Sequence, residues 1–92
     1  MTGSSFIDLA KRSVLAYTIG HTDPYVGAKL FMDDICVVWY CKTLQNHKAL
    51  LTTSLRDGMY YEFTYNGDKA EAYLDAYKKF ENIKFEELID DV

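Results

Sequence analysis

Between Tyr25 and Tyr65 the chain passes through four short segments of alternating, β-branched and aromatic residues with only tight turns between them. This run restricts the fold more than any other feature. Segments so short and so closely spaced pair with their neighbours in sequence, so it predicts an antiparallel meander. The first strand is expected at Tyr25 to Met32, where Val26, Ala28, Leu30 and Met32 share one face, and Asp33-Asp34 follows as a turn. The second, Ile35 to Lys42, is apolar on both faces, the pattern of a central strand covered from two sides. A polar loop over Thr43 to Lys48 leads to a third strand, Ala49 to Leu55. Arg56-Asp57-Gly58 is a hairpin turn, because Asp-Gly tolerates positive φ. The fourth strand, Met59 to Tyr65, sets Met59, Tyr61, Phe63 and Tyr65 inward and Tyr60, Glu62 and Thr64 outward.

Helices are expected on either side of the meander. Ser5 reads as an N-cap for a helix whose apolar residues include Phe6, Ile7, Leu9, Ala10, Val14 and Tyr17, with Gly20 as a left-handed stop. His21 to Pro24 is a connector. After Asn66-Gly67, Asp68 reads as the cap of a second helix with Glu71 completing a capping box, and Ala70, Tyr73, Leu74, Tyr77 and Phe80 fall at helical spacing. Phe85, Leu88, Ile89 and Val92 predict a short amphipathic helix at the end. The expected fold is one α+β domain over residues 1–92: a four-stranded antiparallel meander sheet with an N-terminal helix and one to two C-terminal helices.

Composition sets the function classes. At 92 residues with 49% apolar and 15% aromatic side chains, the chain can build a single efficient core. A formal charge of −4 disfavours direct binding of nucleic acid, which calls for surplus Lys and Arg. The charge is uneven: residues 1–56 carry a net +2 and residues 57–92 a net −6. An acidic surface is therefore expected in the C-terminal third, either simply solvated or offered to a basic partner. No stretch is apolar enough to span a membrane as a helix, and no secretory signal is visible. Cys36 and Cys41 lie five positions apart in one expected strand, so a period of two sends them to opposite faces as free thiols filling apolar space. Free thiols suit a cytoplasmic setting.

The side chains that carry chemistry do not converge. His21 and His47 stand far apart in expected loops without Cys or acid at a chelating interval, so neither metal nor cofactor is expected. The carboxylate pairs Asp33-Asp34, Glu86-Glu87 and Asp90-Asp91 are sequence neighbours and point apart. The serines lack a nucleophile-elbow frame, and the glycines lack phosphate-loop spacing. No enzyme is indicated. The eight tyrosines stand out, and several fall in strands, where they either pack across the sheet or anchor an interface. Tyr60 beside Glu62 fits a protein interface better than base stacking.

The order helix, short strands, helix, short helix in a small acidic chain resembles the architecture of phage proteins that inhibit bacterial defence, such as anti-CRISPR and anti-restriction inhibitors. The wording Met59-Tyr60-Tyr61-Glu62 through Asp75-Ala76-Tyr77-Lys78-Lys79 looks like the short early proteins of T-even-type phages. That resemblance implies a non-enzymatic inhibitor in the host cytoplasm that covers the basic, nucleic-acid-binding surface of a bacterial defence or host protein. The expected partner-binding residues are Tyr60, Glu62, Glu71, Asp75, Glu86, Glu87, Asp90 and Asp91. The alternative is an assembly subunit that oligomerises through the exposed sheet face.

Overall fold

Thr2, rather than Ser5, opens the first helix, α1 (Gly3–Gly20). The Ser5 amide donates to the Thr2 hydroxyl at 3.1 Å while the Thr2 amide donates to the Ser5 hydroxyl at 2.9 Å, so Ser5 is the second half of a reciprocal cap. The structure is a computed structural model that describes residues 1–86. Along α1, Phe6, Ala10, Val14 and Thr18 recur every fourth residue and are buried, forming the stripe that faces the sheet. Gly20 keeps a negative φ, and the helix ends through the His21 amide, which donates to the Thr18 carbonyl at 3.1 Å.

The segment expected as the first strand is not one. Asp23 accepts the Tyr25 amide at 2.9 Å and Pro24 occupies the first turn of a short helix, α2 (Pro24–Gly27). Proline is preorganised for that position, and this local cap overrides the alternation of Val26, Ala28 and Leu30. A 3-10 turn, Met32–Asp34, follows. Asp34 fixes it: the carboxylate accepts the Phe31 amide at 2.8 Å and the Ser54 hydroxyl at 3.0 Å, tying the entry of the sheet to the far end of its second strand.

The sheet contains β1 (Ile35–Thr43), β2 (Asn46–Thr53), β3 (Met59–Asn66) and β4 (Glu71–Lys78), all antiparallel in the order β1-β2-β3-β4. The four-stranded meander is present, displaced by one strand along the chain. Ile35 to Lys42 is consequently an edge strand rather than the central one. The helix expected from Asp68 is β4. Asn66 accepts the amides of Asp68 and Lys69, and Asn46 accepts that of Gly67, so residues 66–70 close a hairpin, with Ala70 at φ 52°. Gly58 carries the positive φ of 73° that the β2–β3 turn requires. Residues 79–86 form no helix or strand, so no C-terminal helix is present through Glu86, and Leu88, Ile89 and Val92 lie outside the described residues.

Paired residues across an antiparallel sheet point to the same side, so the register sorts the two faces. Ile35, Val37, Ala49, Leu51, Tyr61, Phe63 and Leu74 face α1. Phe6, Ala10 and Val14 pack against Ile35, Ala49, Leu51, Tyr61 and Phe63 to make the core. Alanine at positions 10 and 49 leaves room for the helix to approach closely. The main packing of α1 is on β1, β2 and β3.

His47 was expected in a solvated loop and is instead buried in β2 beneath the first turn of α1. Its ring stacks on Phe6 with centroids 5.0 Å apart, and the Tyr40 hydroxyl is hydrogen-bonded to Nδ1 at 2.6 Å. Burial and the charge of Lys42, its cross-strand partner, hold the His47 pKa below the usual 6.5.

Two outcomes follow from this core. Leu51→Ala should cost about 2–5 kcal/mol, read as a lower denaturant midpoint at unchanged slope, while Leu50→Ala on the opposite face costs clearly less. Because the folded His47 ring binds protons more weakly than the unfolded one, its stabilising effect is complete above about pH 6.5 and is lost as pH falls from there through the folded value. His47→Gln should flatten that part of the stability profile measured by denaturant titration across pH.

Candidate interaction face

The face of the sheet opposite α1 collects the side chains of greatest functional interest. One cross-strand row runs Trp39, Leu50, Glu62, Asp75, and a second runs Cys41, Lys48, Thr64, Tyr73. Tyr60 pairs with Tyr77, and Asn66 with Glu71. Trp39, Tyr73 and Tyr77 are 41%, 53% and 52% exposed. Tyr60 and Tyr77 oppose each other across β3 and β4 with Tyr73 further along β4, while Trp39 lies on β1 at the other border, separated from β4 by Leu50 and Glu62. Exposed aromatic rings are the usual raw material of a contact site.

The electrostatics of this face are acidic. Lys48 Nζ lies 3.3 Å from Glu62 Oε1, so one carboxylate is locally neutralised. Among the described residues neither Asp75 nor Glu71 has a basic partner. The Tyr73 hydroxyl donates to Glu71, and that carboxylate pushes the Tyr73 pKa up, so the phenol stays protonated. Along β4, Glu71, Tyr73, Asp75 and Tyr77 alternate acid and phenol on this face, and Trp39 shares the face from its other border. A shallow concavity of about 300 Å³ opens at one end of it, lined by Trp39, Cys41, Thr43, Lys48 and Thr64 among others.

Of the expected partner-binding residues, Tyr60, Glu62, Glu71 and Asp75 are brought together on this face, although by strands and not by a helical surface. Glu86 lies apart from the sheet and is ion-paired with Lys84 at 2.6 Å. Glu87, Asp90 and Asp91 lie outside the described residues. Sequence reasoning missed Trp39, and it placed Tyr73 and Tyr77 on the buried side of a helix. The signal was present: Glu71, Tyr73, Asp75 and Tyr77 alternate with Ala72, Leu74, Ala76 and Lys78, after a turn rich in Asn, Gly and Asp.

The thiols also sit differently from expectation. The register shifts at Val38, the extra residue of a β-bulge, so Cys36 opposes Thr52 and Cys41 opposes Lys48 on the same helix-free face. Both are exposed and free rather than buried.

A second concavity, about 350 Å³, lies where the end of α1 meets the β2–β3 turn, lined by Tyr17, Thr18, His21, Asp57, Tyr61 and Lys78 among others. Tyr61 is buried there, and burial raises its pKa while a hydrogen bond with Thr18 opposes the rise. A phenol held protonated is a hydrogen-bonding group and no nucleophile. Among the described residues no three His, Cys, Asp or Glu side chains lie close enough to share a metal ion, and no helix is long and apolar enough to cross a membrane.

Fold and site together define a two-layer α+β domain, one helix on an antiparallel sheet whose other face is open. The chain belongs to the family of unknown function DUF6275, whose family model matches residues 7–87. No curated protein and no solved structure matches it. The matched span takes in nearly all of α1 and the whole sheet, so the open face is part of the family domain.

Exposure of both thiols makes a direct expectation. Cys36 and Cys41 should both react with a thiol reagent in the folded protein at rates near those in denaturant, whereas a buried thiol would react only on unfolding.

Proposed function

We propose that this protein is a non-enzymatic binding protein that presents the helix-free face of its sheet to a basic surface on a partner protein. The observation that carries the reading is the alternation of Glu71, Tyr73, Asp75 and Tyr77 along β4, both rings exposed, on a helix-free face that exposed Trp39 shares from its other border. A guanidinium stacks on an aromatic ring and donates to a carboxylate beside it, so this arrangement suits arginine side chains. Surfaces that hold nucleic acid are rich in such side chains. A bacterial defence or host protein of that kind, covered stoichiometrically, is the partner class that the resemblance to phage inhibitors implies. The acids work against direct base stacking, which favours a protein over a single-stranded nucleic acid as the occupant.

Trp39 is the chain's one tryptophan and lies on the face itself, so it reports occupancy. Titration with an arginine-rich peptide should change Trp39 emission, with an apparent affinity that falls as salt rises. Asp75→Lys combined with Glu71→Lys should weaken that response about tenfold or more, while Asp8→Lys on α1 leaves it unchanged. A peptide that binds the double variant equally well removes this face from the function.

A further inference from the structure

We propose that β4 joins a second copy of this chain, strand to strand, in an antiparallel pair centred on Leu74. This goes beyond the partner-binding role of the sheet face and uses a different surface, the sheet's edge. In the order β1-β2-β3-β4 the two outer strands are β1 and β4. They differ in kind. The ladder of β1 is broken by the bulge at Val38, a device that twists an edge and discourages pairing. The ladder of β4 runs without a shift from Glu71 to Lys78, contains no proline and has no charge pointing to the helix side until Lys78. Its protection is limited to the open-face acids Glu71 and Asp75 and to Lys78 at its end, and among the described residues it is neither bulged nor covered by another element.

The backbone of β4 is oriented for such a join. The Lys79 amide donates to the Gly58 carbonyl at 2.7 Å, so hydrogen-bonded pairing with β3 falls at every second residue from there: Tyr77, Asp75, Tyr73 and Glu71. Lys78, Ala76, Leu74 and Ala72 therefore turn their amides and carbonyls to the free edge. These same residues point to the helix side, where α1 lies chiefly over β1 to β3. Two alanines flanking a leucine leave a flat, uncharged strip beside the helix.

Charge selects the register. A two-fold axis normal to the sheet keeps like faces together, so residues opposed across the join have matching parity. Centring on Asp75 opposes it to its own copy, and centring on Tyr73 opposes Glu71 to Asp75. Centring on Ala76 sets Leu74 against Lys78. Centring on Leu74 opposes Ala72 to Ala76 on the helix side, and on the open side it sets Tyr73 beside Asp75 and Glu71 beside Tyr77. Glu71 then meets a Tyr77 phenol that can donate to it, Asp75 lies beside a Tyr73 whose hydroxyl is given to Glu71, no like charges meet within β4, and about six main-chain hydrogen bonds form.

Sedimentation of the full chain over a concentration series should show a reversible monomer–dimer equilibrium. Ala76→Pro removes a donor that faces outward and leaves the β3 ladder whole, so it should raise the dimer dissociation constant tenfold or more with an unchanged far-ultraviolet spectrum. With Cys36 and Cys41 replaced by serine, Leu74→Cys should oxidise to a disulfide-linked dimer, because a hydrogen-bonded antiparallel pair sets its Cα atoms about 5.5 Å apart, within disulfide reach. Asp75→Cys in the same background should not. A monomer at every concentration, a dimer indifferent to Ala76→Pro, or cross-linking at position 75 in place of 74 overturns the proposal. A monomer that still takes up the arginine-rich peptide leaves the function of the face intact, and a dimer that ignores the peptide leaves the join intact, so the two readings fail separately.

Discussion

The structure depends on the mismatch between one helix and four strands. A helix with its side chains is about 10–12 Å across and neighbouring strands lie about 4.8 Å apart, so a single helix laid along a sheet shields roughly three strands on one side. α1 does this over β1 to β3, with Phe6, Ala10 and Val14 closing on Ile35, Ala49, Leu51, Tyr61 and Phe63. Among the described residues no second layer covers the reverse side, and β4 meets the core chiefly through Leu74. The exposed aromatic rings of that face are a geometric outcome of having one covering helix.

Much of this was legible in the residues, and the failures have physical causes. The antiparallel meander, the hairpin at Asp57-Gly58 and the alternation of Met59 to Tyr65 follow from period two and turn chemistry, and they stand. Residues 25–32 alternate equally well, but an aspartate before a proline starts a helical turn, and short-range capping defeated periodicity. Residues 70–80 satisfy both periods, since Tyr73, Leu74 and Tyr77 serve a helix and Ala72, Leu74 and Ala76 serve a strand. Asn66 decided it by bonding forward to two amides and folding the chain back on β3. That single error moved the acidic residues from a helical surface to a strand, yet Tyr60, Glu62, Glu71 and Asp75 still converge, because cross-strand pairing gathers what the helix would have gathered by a different spacing.

His47 shows the other limit of sequence reading. A histidine among polar neighbours, in a stretch that looks like a loop, gives no hint that a phenylalanine will stack on it and a tyrosine will hydrogen-bond to it. The cluster of Phe6, Tyr40 and His47 ties the first turn of α1 to β1 and β2, so the orientation of the helix on the sheet rests partly on an uncharged ring. The polar groups of the sheet are thereby segregated: the buried histidine ties the layers together, while Glu62, Glu71 and Asp75 lie on the face opposite α1.

The bulge at Val38 brings two thiols to one face, and it also makes the outer borders of the sheet unequal. A domain with two flat borders can add copies head to tail without end, and the product is a fibre. Here one border is kinked and the other is straight, so a join of the kind proposed at β4 would have no equivalent site at β1 and would close after a single addition.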